Sequence, residues 1–239
     1  MLAMENGNRQ SQAWSRRAQT VAVSLAGEYG LPRHGNYADP TDELFFALLS
    51  KKTPPSRYIT IFKRLRREFR PWGRLLTAPV ARIEEVLRPL GLGRTRAGQI
   101  RQIAERINAD FSRVSLAALR QWSPDLARSY LKSLPGVGEK IARCVMLYSL
   151  GHDWSPMDTH AIRVMTRLGL LPTGVSAGRA HTLMDERLPR GLSYAMHVGL
   201  VAHGRAVCRA KRALCDGCIL VEVCPGIGGG RRAHASKCG

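Results

Sequence analysis

Acidic residues are scarce in this 239-residue chain: 18 Asp and Glu stand against 37 Lys and Arg, leaving a formal charge of +19. So basic a balance points to a polyanionic partner, with nucleic acid ahead of an anionic membrane surface. Also missing is any apolar run long enough to span a bilayer, so no membrane association is expected. The opening residues, MLAMENGNRQSQAW, hold no continuous apolar stretch and do not read as a secretory leader. Six cysteines could suggest a secreted disulfide framework, but four of them crowd between Cys208 and Cys224. In a leaderless chain that crowding reads as a metal site in a reducing compartment. A cytoplasmic protein follows, nucleoid-associated if the source is bacterial, and a monomer is expected.

Alternating strand-like runs are nearly absent too, and helical periodicity fills the space. Tyr58, Ile61, Phe62, Leu65 and Phe69 share one face of a helix whose remaining surface carries Lys63, Arg64, Arg66, Arg67 and Arg70. Ile83, Val86, Leu87 and Leu90 form a second stripe, closed by Gly91-Leu92-Gly93. Ile100, Ile103, Ala104 and Ile107 form a third, with Thr95 as its expected cap. The fold class is therefore all-α, with short Gly- or Pro-marked connections and no internal repeat. Residues 1–17 read as a loose polar tail. Residues 226–239 read as a disordered basic tail, with Cys238 in it as a free thiol.

The crowded cysteines are Cys208, Cys215, Cys218 and Cys224, spaced Cys-x6-Cys-x2-Cys-x5-Cys. Four soft thiolates so close in sequence can converge on one metal centre, either tetrahedral zinc or an iron–sulfur cubane. Zinc sites often pair two Cys-x2-Cys knuckles and only one is present, which favours iron–sulfur without excluding zinc. Lys211 and Arg212, between the first two cysteines, suit the charge of an anionic cluster and equally a phosphate backbone.

A second constellation is Leu134-Pro135-Gly136-Val137-Gly138, lying between two helical stretches. Glycines there permit a tight turn and leave backbone N–H groups bare at the start of the second helix, an arrangement that binds phosphate. Gly136, Val137 and Gly138 are the candidate contacts; Cys144, further along, falls on the apolar stripe. Lys140 begins the second helix, where the dipole disfavours an ammonium ion. By itself it reads as a solvated or phosphate-binding lysine sooner than as a nucleophile. Asp158, in Met157-Asp158-Thr159-His160, is well placed as a helix N-cap and alternatively as an acid–base carboxylate.

Taken together, LPGVGEKIA, the MDTH segment eighteen residues after Lys140, HGR and the four cysteines resemble the endonuclease III branch of the helix–hairpin–helix DNA glycosylases. The resemblance covers roughly residue 20 to Pro225. It implies two α-helical domains flanking a DNA-binding cleft. A six-helix domain with the hairpin would span 42–152, and a cluster domain would combine 18–41 with 153–225. It implies a [4Fe–4S] cofactor on the four cysteines and damaged double-stranded DNA as partner. Lys140 is then the Schiff-base nucleophile and Asp158 the carboxylate that activates it. The activity implied is that of a bifunctional glycosylase and AP lyase of base excision repair acting on oxidised pyrimidines. A related glycosylase for mismatched or alkylated bases, or a non-catalytic iron–sulfur DNA-binding protein, are the alternatives.

One position, with the loop around it, departs from that family's pattern. Lys52, in Ser50-Lys51-Lys52-Thr53-Pro54-Pro55, stands where a glutamine usually fills the gap left by a flipped base. The paired prolines suggest an altered loop there. Leu92 matches the second, aliphatic wedge, although a leucine can also simply pack its own loop. Glu43 lies too early in its helix to match the glutamate of the adenine-specific relatives, and reads as a first-turn carboxylate facing the helix dipole.

Overall fold

The computed structural model describes residues 2–32 and 36–225, with side chains from residue 11 onward. Among them every regular element is a helix, and no helix is long and apolar enough to cross a membrane. The chain divides into two compact units, Gly35–His152 and a second made of Met1–His34 with Asp153–Gly239.

The Gly35–His152 unit is built around α2 (Pro40–Ser50). Pro40 at the first helical position and Asp39 at the N-cap start it, and the Asp39 carboxylate accepts from the N–H groups of Thr41 (2.8 Å) and Asp42 (3.1 Å). Ten of its eleven residues are buried, so α2 is wrapped on all sides. Around it lie α3 (Pro55–Phe69), the short α4 (Arg74–Thr77), α5 (Val80–Leu87), α6 (Gly93–Phe111), α7 (Pro124–Ser133) and α8 (Glu139–Tyr148). The apolar stripe of α3 is buried as its periodicity predicts, and Phe62 meets Phe46 and Trp72 in an aromatic cluster. Asp42 is buried but satisfied: Trp72 Nε1 donates to it at 2.7 Å and Arg66 Nε at 2.8 Å. The paired prolines begin the next helix. Pro54 is the N-cap of α3 and Pro55 its first residue, where a missing N–H costs nothing.

The second unit contains α1 (Leu2–Tyr29), α9 (Thr159–Arg167), α10 (Ala177–Arg187) and α11 (Ser193–Ala206). Helix α1 packs on α11 so closely that a Cβ at Gly199 would lie 2.6 Å from Leu25 Cβ. Val21 and Leu25 of α1 share a core with Val164, Met165 and Leu200.

Three expectations are corrected. Residues from Leu2 on form part of α1 and not a loose tail: Trp14 Nε1 donates to the Leu170 carbonyl (2.8 Å) and Arg17 to that of Val223 (2.7 Å), tying the helix to the rest of its unit. The stretch 36–41 groups with the Gly35–His152 unit and not with the cysteine-bearing one. The Ser149 hydroxyl donates to the Tyr37 carbonyl at 2.7 Å, and Arg120 to that of Ala38 at 2.6 Å. Thr95 does not cap α6; Leu92 is the N-cap, because Gly91 (φ 73°) and Leu92 (φ 52°) turn the chain into the helix sooner. A Cβ added at Gly93 would lie 3.3 Å from Arg88 Cα and from the Glu84 carbonyl oxygen, so a side chain there would be tight. The expected tail 226–239, with Cys238, lies outside the described residues.

Candidate active site and nucleic-acid interface

Ser123 starts α7 by accepting from the Leu126 N–H, and the helix ends at Ser133, where Leu134 leads into the hairpin. Gly136 adopts φ 70°, and a Cβ there would collide with the side-chain amide of Gln99. That amide donates to the Pro135 carbonyl at 2.9 Å and so pins the turn to α6. Val137 is buried and its N–H donates to the Leu134 carbonyl at 3.1 Å, so it anchors the turn instead of presenting itself to a ligand. Gly136 and Gly138 are exposed. Gly138 is the N-cap of α8 and has no side chain to satisfy the first-turn N–H groups, which face outward with the positive end of the dipole.

Glu139 does not cap α8 either. Its carboxylate binds Arg128 (2.7 Å), Arg143 (2.7 Å) and Lys132 (3.0 Å), joining α7 to α8 across the hairpin. Burial alone would raise its pKa, but the hydrogen bonds from those three cations hold it down at about 2. Arg143, almost fully buried, thereby has a fixed counter-charge. Nothing in the sequence singled out this network.

Lys140 is half-buried in the first turn of α8. The same unit supplies a group that periodicity misread. Glu43, in the first turn of α2, is 0% exposed, and its carboxylate reaches back to the segment before the helix. Oε1 accepts from Asn36 Nδ2 at 2.6 Å and Oε2 from the Tyr37 N–H at 2.8 Å. Burial pushes its pKa up to about 8, against the pull of those two hydrogen bonds and of the Lys140 charge. The signal was available: a carboxylate in a helix apolar on every face has nowhere to go but inside.

The expected wedge positions are placed by one arginine. Lys52 is exposed with φ 53°, next to Lys51, which closes α2. Leu92 is 75% exposed, so it does not pack its own loop. Arg96, one turn into the helix that Leu92 caps, donates to the carbonyls of Leu49 (3.2 Å) and Lys51 (3.1 Å) and to Thr53 Oγ1 (3.2 Å). The two loops are therefore fixed to each other.

In the other unit Asp158 is the N-cap of α9, with Oδ1 accepting from the Ala161 N–H at 2.8 Å. His160 beside it is lowered in pKa by burial. Two arginines on the same helix reach the cysteine-rich segment. Arg163 donates to the carbonyls of Gly204 (2.7 Å) and Cys208 (3.0 Å). Arg167 donates to the Arg209 carbonyl (2.8 Å) and to Cys208 Sγ (3.4 Å). They hold the backbone from which Lys211 and Arg212, both exposed, project.

Cys208, Cys215, Cys218 and Cys224 are half-buried and in no disulfide, and Cys144 is a buried core residue. Cys208, Cys218 and Cys224 pack against the core of their unit. Burial raises the Cys218 thiol, and negative charge on Cys208 and Cys224 raises it further, so the three lie near one another. Among the described residues, however, no three His, Cys, Asp or Glu side chains converge as ligands of one metal ion.

The pattern of the HhH-GPD superfamily of base excision DNA repair proteins matches residues 46–190. A protein of Arabidopsis thaliana whose name proposes it as a DNA glycosylase is 30% identical over 171 residues, which are 72% of this chain and 58% of that protein. The chain thus spans less than two thirds of the length of this relative. A thymine-DNA glycosylase of Aeropyrum pernix is 27% identical over 235 residues, covering 94% of this chain and 97% of that protein. Among solved structures, a non-covalent endonuclease III–DNA complex superposes with a TM-score of 0.77 at 23% identity, covering 88% of this chain and 95% of that one.

Proposed function

We propose, from the premise that this chain belongs to the HhH-GPD superfamily of base excision DNA repair proteins, that it excises damaged bases from duplex DNA and then cuts the strand. The observation that carries the reading is Lys140. It is half-buried at the dipole-positive start of α8, directly after a hairpin whose exposed glycine backbone suits a phosphate. Hairpin and nucleophile are thus delivered to the same stretch of strand. Because the sugar carbon is inaccessible within stacked duplex, the damaged nucleotide is flipped out, with Leu92 filling the space it leaves and Lys52, whose ammonium resists desolvation in a base stack, meeting phosphate beside it.

The neutral Lys140 amine attacks C1′, and the base departs with the electrons of its glycosidic bond. The nitrogen then loses a proton, opening of the sugar ring gives an iminium ion, and loss of a C2′ proton expels the 3′ phosphate. Asp158 accepts the proton that Lys140 gives up and offsets positive charge on the sugar. Oxidised pyrimidines are the proposed substrates. A second reading, a mismatched thymine, draws on the full-length similarity to the Aeropyrum protein.

Cys208, Cys215, Cys218 and Cys224 are the residues that would hold a [4Fe–4S] cluster. Four soft sulfurs on one short segment, three of them packed against the same core, are the donor set that a cubane takes, one thiolate per iron. Such a group would fix the loop bearing Lys211 and Arg212 against the phosphate backbone.

Borohydride trapping on an abasic duplex tests the reading. A covalent protein–DNA adduct in wild type that vanishes in Lys140→Gln is the expected result. Wild-type protein that binds the duplex but forms no adduct and no nick would leave only a DNA-binding protein. Excision assays across oxidised pyrimidines and a thymine–guanine mismatch separate the two substrate readings.

A further inference from the structure

The basic face of α3 takes no part in the chemistry proposed above. Lys63, Arg66 and Arg67 stand at i, i+3 and i+4 on one face of the helix, and Arg70, its C-cap, follows at i+7. Together with Tyr37 they line an open cavity of ≈ 360 Å³. The carboxylates near it are already committed. Asp42 is buried under Arg66 (2.8 Å) and Arg70 (3.7 Å), and Asp39 lies 3.5 Å from Arg70. Glu68 turns away to Arg82, and Arg64 looks toward Glu85. Arg66 is further held with its guanidinium 5.5 Å from the centre of the Tyr37 ring. Four cations thus face two carboxylates, and Lys63 and Arg67 are exposed with no hydrogen-bond or ion-pair partner among the described residues.

Like charges one turn apart repel, by a few tenths of a kcal/mol per pair on an isolated helix. A stripe that keeps four of them around a cavity, with two left uncompensated, is arranged for an anion supplied from outside. Lys63 and Arg67 stand about 6 Å apart along the helix axis, so each can meet a different phosphate of one strand. Arg66 between them and Arg70 beyond, both held by Asp42, are pre-ordered donors beside that pair.

We infer that the Lys63–Arg67 face of α3 is a second phosphodiester-binding surface, which grips the DNA backbone away from the hairpin and the lesion. It rests on the proposed function only for the identity of the polyanion. The surface carries no base-reading group other than Tyr37, so it adds affinity without sequence preference.

Binding of the full chain to an undamaged duplex, followed by fluorescence anisotropy across a salt series, tests this. The variant is the double substitution Lys63→Gln with Arg67→Gln, both at exposed positions. Loss of two phosphate contacts lowers the slope of log K against log salt by about 2, with the melting temperature unchanged. An unchanged slope overturns the inference. So does selective competition by inorganic phosphate against wild type but not the variant, beyond its ionic-strength effect, because the ligand would then be a small phosphate compound. Wild type that gives no borohydride adduct, combined with a reduced slope in the variant, removes the proposed catalysis and leaves this surface standing.

Discussion

Arg96 donates to the Lys51 carbonyl at 3.1 Å, fastening the loop that carries Lys52 to the helix that Leu92 caps. The same guanidinium bonds the Leu49 carbonyl and Thr53 Oγ1, so a single side chain sets the spacing of the Lys52 and Leu92 loops, the two proposed wedge positions. Replacing Arg96 by Met keeps the aliphatic stem and removes all three bonds. We expect a loss of about 2 kcal/mol in unfolding free energy, read by denaturant titration. Faster amide exchange should be confined to residues 49–53; a uniform rise across the unit would contradict the assignment.

Leu92 combines exposure with a left-handed backbone, which costs a non-glycine residue about 1 kcal/mol or more. Leu92→Gly therefore leaves the melting temperature unchanged or raises it. If Leu92 is a wedge, excision from duplex falls about tenfold or more, since unstacking a base step costs a few kcal/mol. Single-turnover excision, with the same lesion in single-stranded DNA as control, measures the difference. An equal loss on both substrates would remove the wedge role.

Glu43 gives stability an unusual pH dependence. Its folded pKa of about 8 lies above the ordinary value of 4.5, so the native state holds a proton that the unfolded chain releases. The contribution is complete below pH 4.5 and is lost as pH rises through about 8. Melting temperatures from pH 5 to 9 should fall in wild type and run flatter in Glu43→Gln. Parallel curves for the two proteins would show that Glu43 is ionised throughout.

Glu139 has the opposite sign. Its folded pKa near 2 lies below the ordinary 4.5, so it contributes stability above pH 4.5 that is lost as pH falls toward 2. Glu139→Gln takes the counter-charge from buried Arg143 and should cost about 3 kcal/mol at neutral pH. Urea titrations at pH 7 and pH 3 check both statements, the gap between variant and wild type narrowing at the lower value.

The parts of this protein legible in its sequence are those set by local periodicity and short-range spacing. The stripe Tyr58, Ile61, Phe62, Leu65 and Phe69 is buried because five apolar residues at helical spacing leave a chain little choice. The Gly136 turn and the Asp158 cap were visible for the same reason: φ above zero and a bare helix N-terminus each demand a particular residue type. Local signals failed where a long-range partner decides. The polar start of the chain looked loose until Trp14 and Arg17 found carbonyls more than 150 residues away. Leu92 carries the same side chain as the leucines of the core, and only the Gly91 turn puts it in solvent.

Sequence alone therefore determined the helical class, the basic surface, the four crowded thiols and the hairpin with its lysine, because each is a matter of composition or of residues a few positions apart. The tertiary structure decided which charges are buried and which remain exposed. It placed Glu43 inside and raised its pKa, gave Arg143 its counter-charge, bound Asp42 beneath Arg66, and left Lys63 and Arg67 facing outward. The pKa and the partner of an ionisable group depend on the dielectric and the charges around it, and those are set only when distant segments pack together.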